Sequence, residues 1–174
     1  GAGAAFVYQR SGATWTQQAY IKAPNANSQD SFGSSLALSG DTVVVGASNE
    51  ESNQTTITNG LTASANNSAT GSGAAYVFKR TGVNWAPQAY LKAPNAEAGD
   101  QFGYSVAIDV DTVVVGALTE ASNQTTISNG VTASNNNTAA AAGAAYVFKR
   151  TGTHWVHEAY LKASNANAGD RFGA

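Results

Sequence analysis

The chain repeats itself every 70 residues: Gly3-Ala4-Ala5-Phe6-Val7-Tyr8 returns as Gly73-Ala74-Ala75-Tyr76-Val77-Phe78 and again as Gly143-Ala144-Ala145-Tyr146-Val147-Phe148. A unit that recurs at fixed spacing is one supersecondary module, which buries its apolar faces by stacking on copies of itself. Function is then expected in the loops. The first unit runs from Gly1 to Thr70, the second from Gly71 to Ala140, and the third breaks off at Ala174. The chain begins at Gly1 and contains no methionine, so it is expected to be a processed product or an excerpt of something longer, with leader and anchor left open.

Each unit carries four short runs of strand character bounded by Gly, Asn, Asp and Pro. In the second copy these are Ser105 to Ile108, Thr112 to Val115, Ala144 to Lys149 and Trp155 to Ala163. Asp109-Val110-Asp111 leaves room only for a tight turn between the first two, and Arg150 to His154 is hairpin length, so all four are expected to run antiparallel. The first three are apolar on both faces, as a sheet between two neighbouring sheets requires. The fourth mixes polar groups with Pro87 and reads as an outer edge.

Four-stranded antiparallel sheets repeated about an axis describe β-propeller blades. A β-solenoid is the rival, although its repeats are usually shorter, roughly 20 to 45 residues. The expected architecture is all-β, about two and a half blades, a fragment of a larger propeller or part of an assembly. Residues 1–30 supply strands three and four of a partial blade, 31–100 and 101–170 are full blades each with an inserted hairpin, and 171–174 start another.

Charged residues make up 11% of the chain, with nine basic against eleven acidic side chains, and no Lys/Arg stripe marks a phosphate-binding face. Nucleic acid is not an expected partner. Apolar runs such as Val113-Val114-Val115 fall far short of the roughly 20 residues of a membrane-crossing helix. Cysteine is absent, which removes disulfides and thiolate chemistry.

In the second copy Phe102-Gly103-Tyr104-Ser105-Val106-Ala107-Ile108 is followed by Asp111-Thr112-Val113-Val114-Val115-Gly116-Ala117, and in the first Phe32-Gly33 leads to Asp41-Thr42-Val43-Val44-Val45-Gly46-Ala47. This resembles the FG-GAP repeat of integrin α-subunit propellers and many bacterial surface proteins, in particular the bacterial subfamily that lacks calcium loops. The resemblance implies an extracellular or cell-surface location. The integrin version holds calcium between its Phe-Gly and Gly-Ala halves; here that turn is only Ser39-Gly40-Asp41 or Asp109-Val110-Asp111. Calcium takes six to eight oxygens at about 2.3 to 2.6 Å, which three residues cannot supply. The aspartates are expected to cap the turn.

Asp30, Asp100 and Asp170 each stand two residues before Phe-Gly and are read, with Phe32, Gly33, Phe102 and Gly103, as structural turn residues. Trp15, Trp85 and Trp155 open the outer strand, with Tyr20, Tyr90 and Tyr160 five residues on, so on a regular strand the two rings face opposite sides. One ring would fill the gap between blades; a sugar-binding groove walled by the tryptophans is the alternative. His154 and His157, three apart and without counterparts in the other copies, read as incidental surface residues.

The longest connection, Ser48 to Thr70 and again Leu118 to Ala140, contains Asn59-Gly60 and Asn129-Gly130 among β-formers, a hairpin signal. It is the preferred recognition surface, with Asn59 and Asn129 at its tips. The same segments hold four Asn-x-Ser/Thr sequons, at Asn53, Asn66, Asn123 and Asn136, as possible glycosylation sites. No nucleophile–base pair, metal cluster or phosphate-cradling loop emerges, so no catalytic residue, metal or cofactor is assigned. The expected function is noncatalytic adhesion or recognition, with a filament or sheath subunit or a lectin as alternatives. Expected partners are further blades of the same parent or identical copies, and a glycan or surface protein.

Overall fold

The computed structural model describes residues 1–174, which form twelve strands and no helix. β1 (Ala5–Ser11) and β2 (Thr14–Ile21) make an isolated antiparallel pair. β3 (Phe32–Ser39), β4 (Thr42–Ala47), β6 (Ala74–Thr81) and β7 (Asn84–Leu91) form one antiparallel sheet, with the two-residue β5 (Thr58–Asn59) added outside β7. β8 (Phe102–Asp109), β9 (Thr112–Ala117), β11 (Ala144–Thr151) and β12 (His154–Leu161) repeat that order, and β10 (Ser128–Asn129) is added outside β12. The chain thus holds a half blade followed by two complete blades. No helix is long and apolar enough to cross a membrane.

The second strand explains why blades must stack. All six residues of β4 are buried, because the strand lies inside its sheet with a neighbouring sheet on each side. β-branched side chains suit that pleated, two-faced environment. The first strands of successive complete blades, β3 and β8, lie against one another, and β8 also packs on β4. There the repeat motifs meet: a side chain at Gly46 would overlap the carbonyl oxygen of Gly103, which accepts a hydrogen bond from Ser35 Oγ at 2.8 Å. The glycine of Gly-Ala in one blade and the Phe-Gly of the next are two halves of one close backbone approach.

Each blade presents an aliphatic face forward and an aromatic face backward. At the junction of the complete blades, Val44, Val77, Ala89 and Leu91 meet Phe102, Tyr146, Phe148, Trp155 and Tyr160 in one buried cluster. Phe102 lies edge-on to Tyr146 and Phe148, at 5.3 and 5.9 Å between ring centres; Phe32 does the same to Tyr76 and Phe78 at 5.3 and 6.0 Å. The modules bury their apolar surface against each other, as their period requires.

Two expectations need correction. The insert does not form a self-paired hairpin: Thr58 and Asn59 pair with Tyr90 and Ala89 of the outer strand, so that strand is not the sheet edge along this stretch. The β-formers around Asn-Gly find a better partner in an existing strand than in each other.

The outer strand is also irregular. Val77 and Phe78 pair with Ala89 and Pro87, leaving Gln88 as the extra residue of a bulge, and Gln18 and Glu158 occupy the same place in the other sheets. One inserted residue flips strand parity. Trp155 and Tyr160 therefore share one face instead of opposing each other, and both are buried in the same junction.

Candidate functional site

The rim carrying the two inserts is held by side-chain bonds to the insert's own backbone. Ser52 Oγ accepts from Gln54 N at 3.1 Å, and Gln54 Nε2 donates to Thr56 O at 2.6 Å and Thr58 Oγ1 at 2.9 Å; Ser122 and Gln124 repeat this. Short polar side chains that bond nearby backbone fix loops in this way. Gly60 N donates to Gln88 O at 2.7 Å, continuing the β5 pairing.

Asn59 then reaches across to the next blade. Its Nδ2 donates to Trp155 O at 3.1 Å and its Oδ1 accepts from Trp155 N at 2.7 Å. The bulge residue Gln88 adds a third tie, accepting the indole N–H of Trp155 at 2.9 Å, as Gln18 does for Trp85. Arg150 lies 5.5 Å over the Trp155 ring and pairs with Asp111 at 2.5 Å. Trp155 is 1% exposed, Trp85 is half-buried and Trp15 is 63% exposed. Trp85 is tied to Gln18 of the half blade alone, whereas Trp155 is tied to both Gln88 and the insert residue Asn59 of a complete blade. Asn129, with no indole-bearing strand before it, is exposed.

Between the two complete blades lies a cavity of about 350 Å³, lined among others by Thr55, Ile57 and Asn59 from the first insert, Val131 from the second, and Trp155 and His157 from β12. A second cleft of about 300 Å³, on the other side of Asn59, is bordered by Lys79, Gln88 and His154. His154 is exposed, but His157 is not the surface residue expected: it is 7% exposed and packs between Tyr146 and Phe148, 5.9 and 5.4 Å between ring centres. Neither ring nitrogen has a hydrogen-bond partner of good geometry. Burial pushes its pKa down, which the nearby backbone of Gly130 and Ala159 only partly offsets, so the ring is held neutral. Its counterparts are Pro87 and Gln17, so no recurring pattern marks it in the sequence.

Sequence reasoning also missed a buried polar node at the base of each insert. Glu50 Oε2 accepts from Lys92 Nζ and from Ser52 N, both at 3.1 Å, and Oε1 accepts from Tyr90 OH at 2.9 Å and Asn25 Nδ2 at 3.1 Å. Lys92 further donates to Ser72 Oγ at 2.9 Å and Gly73 O at 2.6 Å, and Tyr76 OH donates to Asn25 Oδ1 at 2.7 Å. Glu120, Lys162, Tyr160, Asn95 and Tyr146 rebuild it in the next blade. Burial lowers the Lys92 pKa and the Glu50 charge opposes that shift. The recurring spacing of Asn25, Glu50 and Lys92 was the available signal, but all three lie outside the strands, in the connections that follow them.

The turn aspartates accept a backbone N–H three residues back: Asp30 from Asn27 and Asp170 from Asn167 at 2.7 Å, Asp100 from Glu97 at 2.8 Å. Burial, reinforced by the Glu120 and Glu97 charges, pushes Asp100 up to about 7, and burial raises Asp30 as well. Phe32 and Phe102 fill the junctions, and Gly33 and Gly103 adopt φ of 93° and 87°. In the turn where the integrin pattern holds calcium, Asp41 is bound by Arg80 rather than capping the backbone, and the guanidinium lowers its pKa. A short turn whose carboxylate already serves an arginine does not fit a calcium ligand set.

Among the sequons, Asn66 Oδ1 accepts from Ser68 N at 3.0 Å and Ser68 Oγ at 2.7 Å, and Asn136 binds Thr138 likewise at 3.0 and 2.8 Å. All four sequon asparagines are at the surface of the insert rim except at their backbone ties.

Comparison with known families gives one match: the model described as FG-GAP repeat fits residues 15–78 and again 85–148. No curated protein matches the chain.

Proposed function

The chain belongs to the FG-GAP repeat family, and from that premise we propose that it is a noncatalytic part of an extracellular or cell-surface β-propeller that recognises a ligand through the rim carrying its inserts. Repeats of this family are typically noncatalytic and common in surface proteins that bind ligands. One observation carries the reading: on inserts fastened to the sheet, the apolar side chains Leu61, Ile127 and Val131 stand exposed, and Val131 lines the cavity between the blades. Apolar groups displayed on loops that a rigid scaffold holds in place are the usual makings of a binding surface. The flanking Asn, Thr and Ser side chains would supply neutral hydrogen bonds, and the low charge argues against a polyanion. Adhesion to a glycan or surface protein is the proposed outcome. Further blades, from the same parent or from identical copies, are the proposed structural partners. A lectin that stacks sugar on Trp155 is less well supported, since that ring is covered and its N–H engaged.

The test presents the labelled chain to an array of glycans and immobilised matrix proteins, beside the variant Ile127→Ser with Val131→Ser. Binding by the parent and a loss of about tenfold or more in the variant, at unchanged melting temperature, is expected. Equal binding by both would remove the inserts from recognition.

A further inference from the structure

We propose that the side chains of Asn95 and Lys162, and by the same chemistry those of Asn25 and Lys92, join in amide bonds that form without an enzyme and release ammonia. The proposal is independent of the ligand reading and rests on the buried nodes at the base of the inserts.

An amine, a carboxylate and a primary amide meet there out of water. In the second node the Glu120 carboxylate divides the other two between its oxygens: Oε2 accepts from Lys162 Nζ at 2.8 Å and Oε1 from Asn95 Nδ2 at 3.3 Å. Asn95 Oδ1 accepts from Tyr146 OH at 2.7 Å. Asn95, Glu120, Tyr146 and Lys162 are all buried. The first node repeats the arrangement, with Lys92 and Asn25 on the two oxygens of Glu50, both at 3.1 Å, and Tyr76 OH on Asn25 Oδ1 at 2.7 Å.

Each group has a part in one acyl transfer. Lys162 Nζ hands a proton to the Glu120 carboxylate and becomes a nucleophilic amine; burial lowers the pKa of its counterpart Lys92, which favours the same step there. Nζ attacks Cγ of Asn95, forming the new C–N bond while the carbonyl electron pair moves onto Oδ1. The Tyr146 hydroxyl, kept protonated by burial, is already in place to stabilise that charge. Glu120 delivers its proton to Nδ2, the Cγ–Nδ2 bond breaks, and the nitrogen leaves as ammonium with the further proton that Nζ gives up. Lysine ammonium and primary amide thus become secondary amide and ammonium, Glu120 ends as the carboxylate it was, and no oxidant or co-reactant is needed. Because both ends hang on one carboxylate, reaching a near-attack contact of roughly 3 to 3.5 Å takes side-chain torsions and no movement of the sheets.

Two differences rank the nodes. Lys92 Nζ has three partners, Glu50, Ser72 Oγ and Gly73 O, whereas Ala142 replaces that serine and Lys162 Nζ has only Glu120 and Gly143 O. One position on the Lys162 nitrogen is left for Cγ. Asn95 is 7% exposed, while Asn25 is only partly buried. The Asn95–Lys162 bond is therefore the one expected to be complete. Asn95 follows β7 and Lys162 follows β12, so this bond staples one complete blade to the other, as a disulfide would in a chain that had cysteine.

The test is the intact mass of the purified, folded chain, followed by tryptic digestion and fragmentation. A mass below that of the sequence by at least one molecule of ammonia is expected, with a branched peptide in which Lys162, no longer cut by trypsin, carries the segment containing Asn95. Glu120→Gln keeps both ends of the bond and removes the proton carrier; its chain, with the fold verified by circular dichroism, should regain the ammonia and lose the branched peptide. Tyr146→Phe removes only the hydroxyl and should slow closure about a hundredfold, read as mass against time after cell-free synthesis. The parent's mass stands whether or not either variant folds, and a folded parent at the full mass of its sequence would overturn the proposal. So would an ammonia deficit without the branched peptide, which marks a succinimide at an Asn-Gly pair such as Asn59-Gly60, or closure as fast in both variants as in the parent.

Discussion

Asp100 ties a hydrogen-bond observation to a measurable pH dependence. Its carboxyl is 6% exposed, receives the Glu97 N–H on one oxygen, and is raised from 3.8 to about 7, chiefly by burial. A folded-state pKa above the unfolded one means that the folded chain holds a proton the unfolded chain releases. The associated stability is fully present below about pH 4 and is lost as pH rises toward 7. At about 1.4 kcal/mol per unit, the shift corresponds to roughly 4 kcal/mol over the whole titration, of which about 3 kcal/mol falls between about pH 4.5 and pH 8. Asp100→Asn keeps an oxygen for the Glu97 N–H and cannot titrate. Urea unfolding of both proteins at the two pH values isolates the effect, because groups of opposite sign, such as the neutral His157 that favours higher pH, cancel in the difference. The parent should lose about 3 kcal/mol relative to the variant on going to the higher pH. A difference between the two proteins that does not change with pH refutes the reasoning.

Three further outcomes follow from the packing. Lys92→Met should destabilise by about 3 to 5 kcal/mol, because it leaves Glu50 charged and buried, whereas adding Glu50→Gln to it should recover part of the loss in the same unfolding assay. Asn59→Ala removes both backbone ties to Trp155 and should cost about 1 to 2 kcal/mol and speed exchange of the Trp155 amide, while Asn129→Ala, the same residue without a neighbour, should be nearly silent. Val110 turns the β8–β9 corner at a φ of 51°, where its counterpart Gly40 sits at 55°; Val110→Gly should raise stability by about 0.5 to 1 kcal/mol, visible as a higher urea midpoint.

Some of this was legible in the residues because it is periodic and local. Thr42 to Ala47 can only be an inner strand, the Phe-Gly and Gly-Ala pairs fall where two backbones must approach, and an aspartate two residues before Phe-Gly has a turn to bind. The calcium turn could be set aside by counting its residues. What the aspartate there does instead required knowing that Arg80 lies opposite it on another strand.

The amino-acid sequence by itself determined the module, its strand order and the need for one blade to lie on another, since those follow from repeated apolar patterns and turn residues. The tertiary structure decided which side chains meet. A single bulge at Gln88 or Glu158 reverses strand parity and turns Trp155 and Tyr160 to one face, and no local pattern announces it. Burial of His157, the Glu50–Lys92 pair and the fate of Asn59 depend on groups tens of residues away, brought close only when sheets stack. Contact across a junction is a property of two blades, and the sequence of one of them cannot contain it.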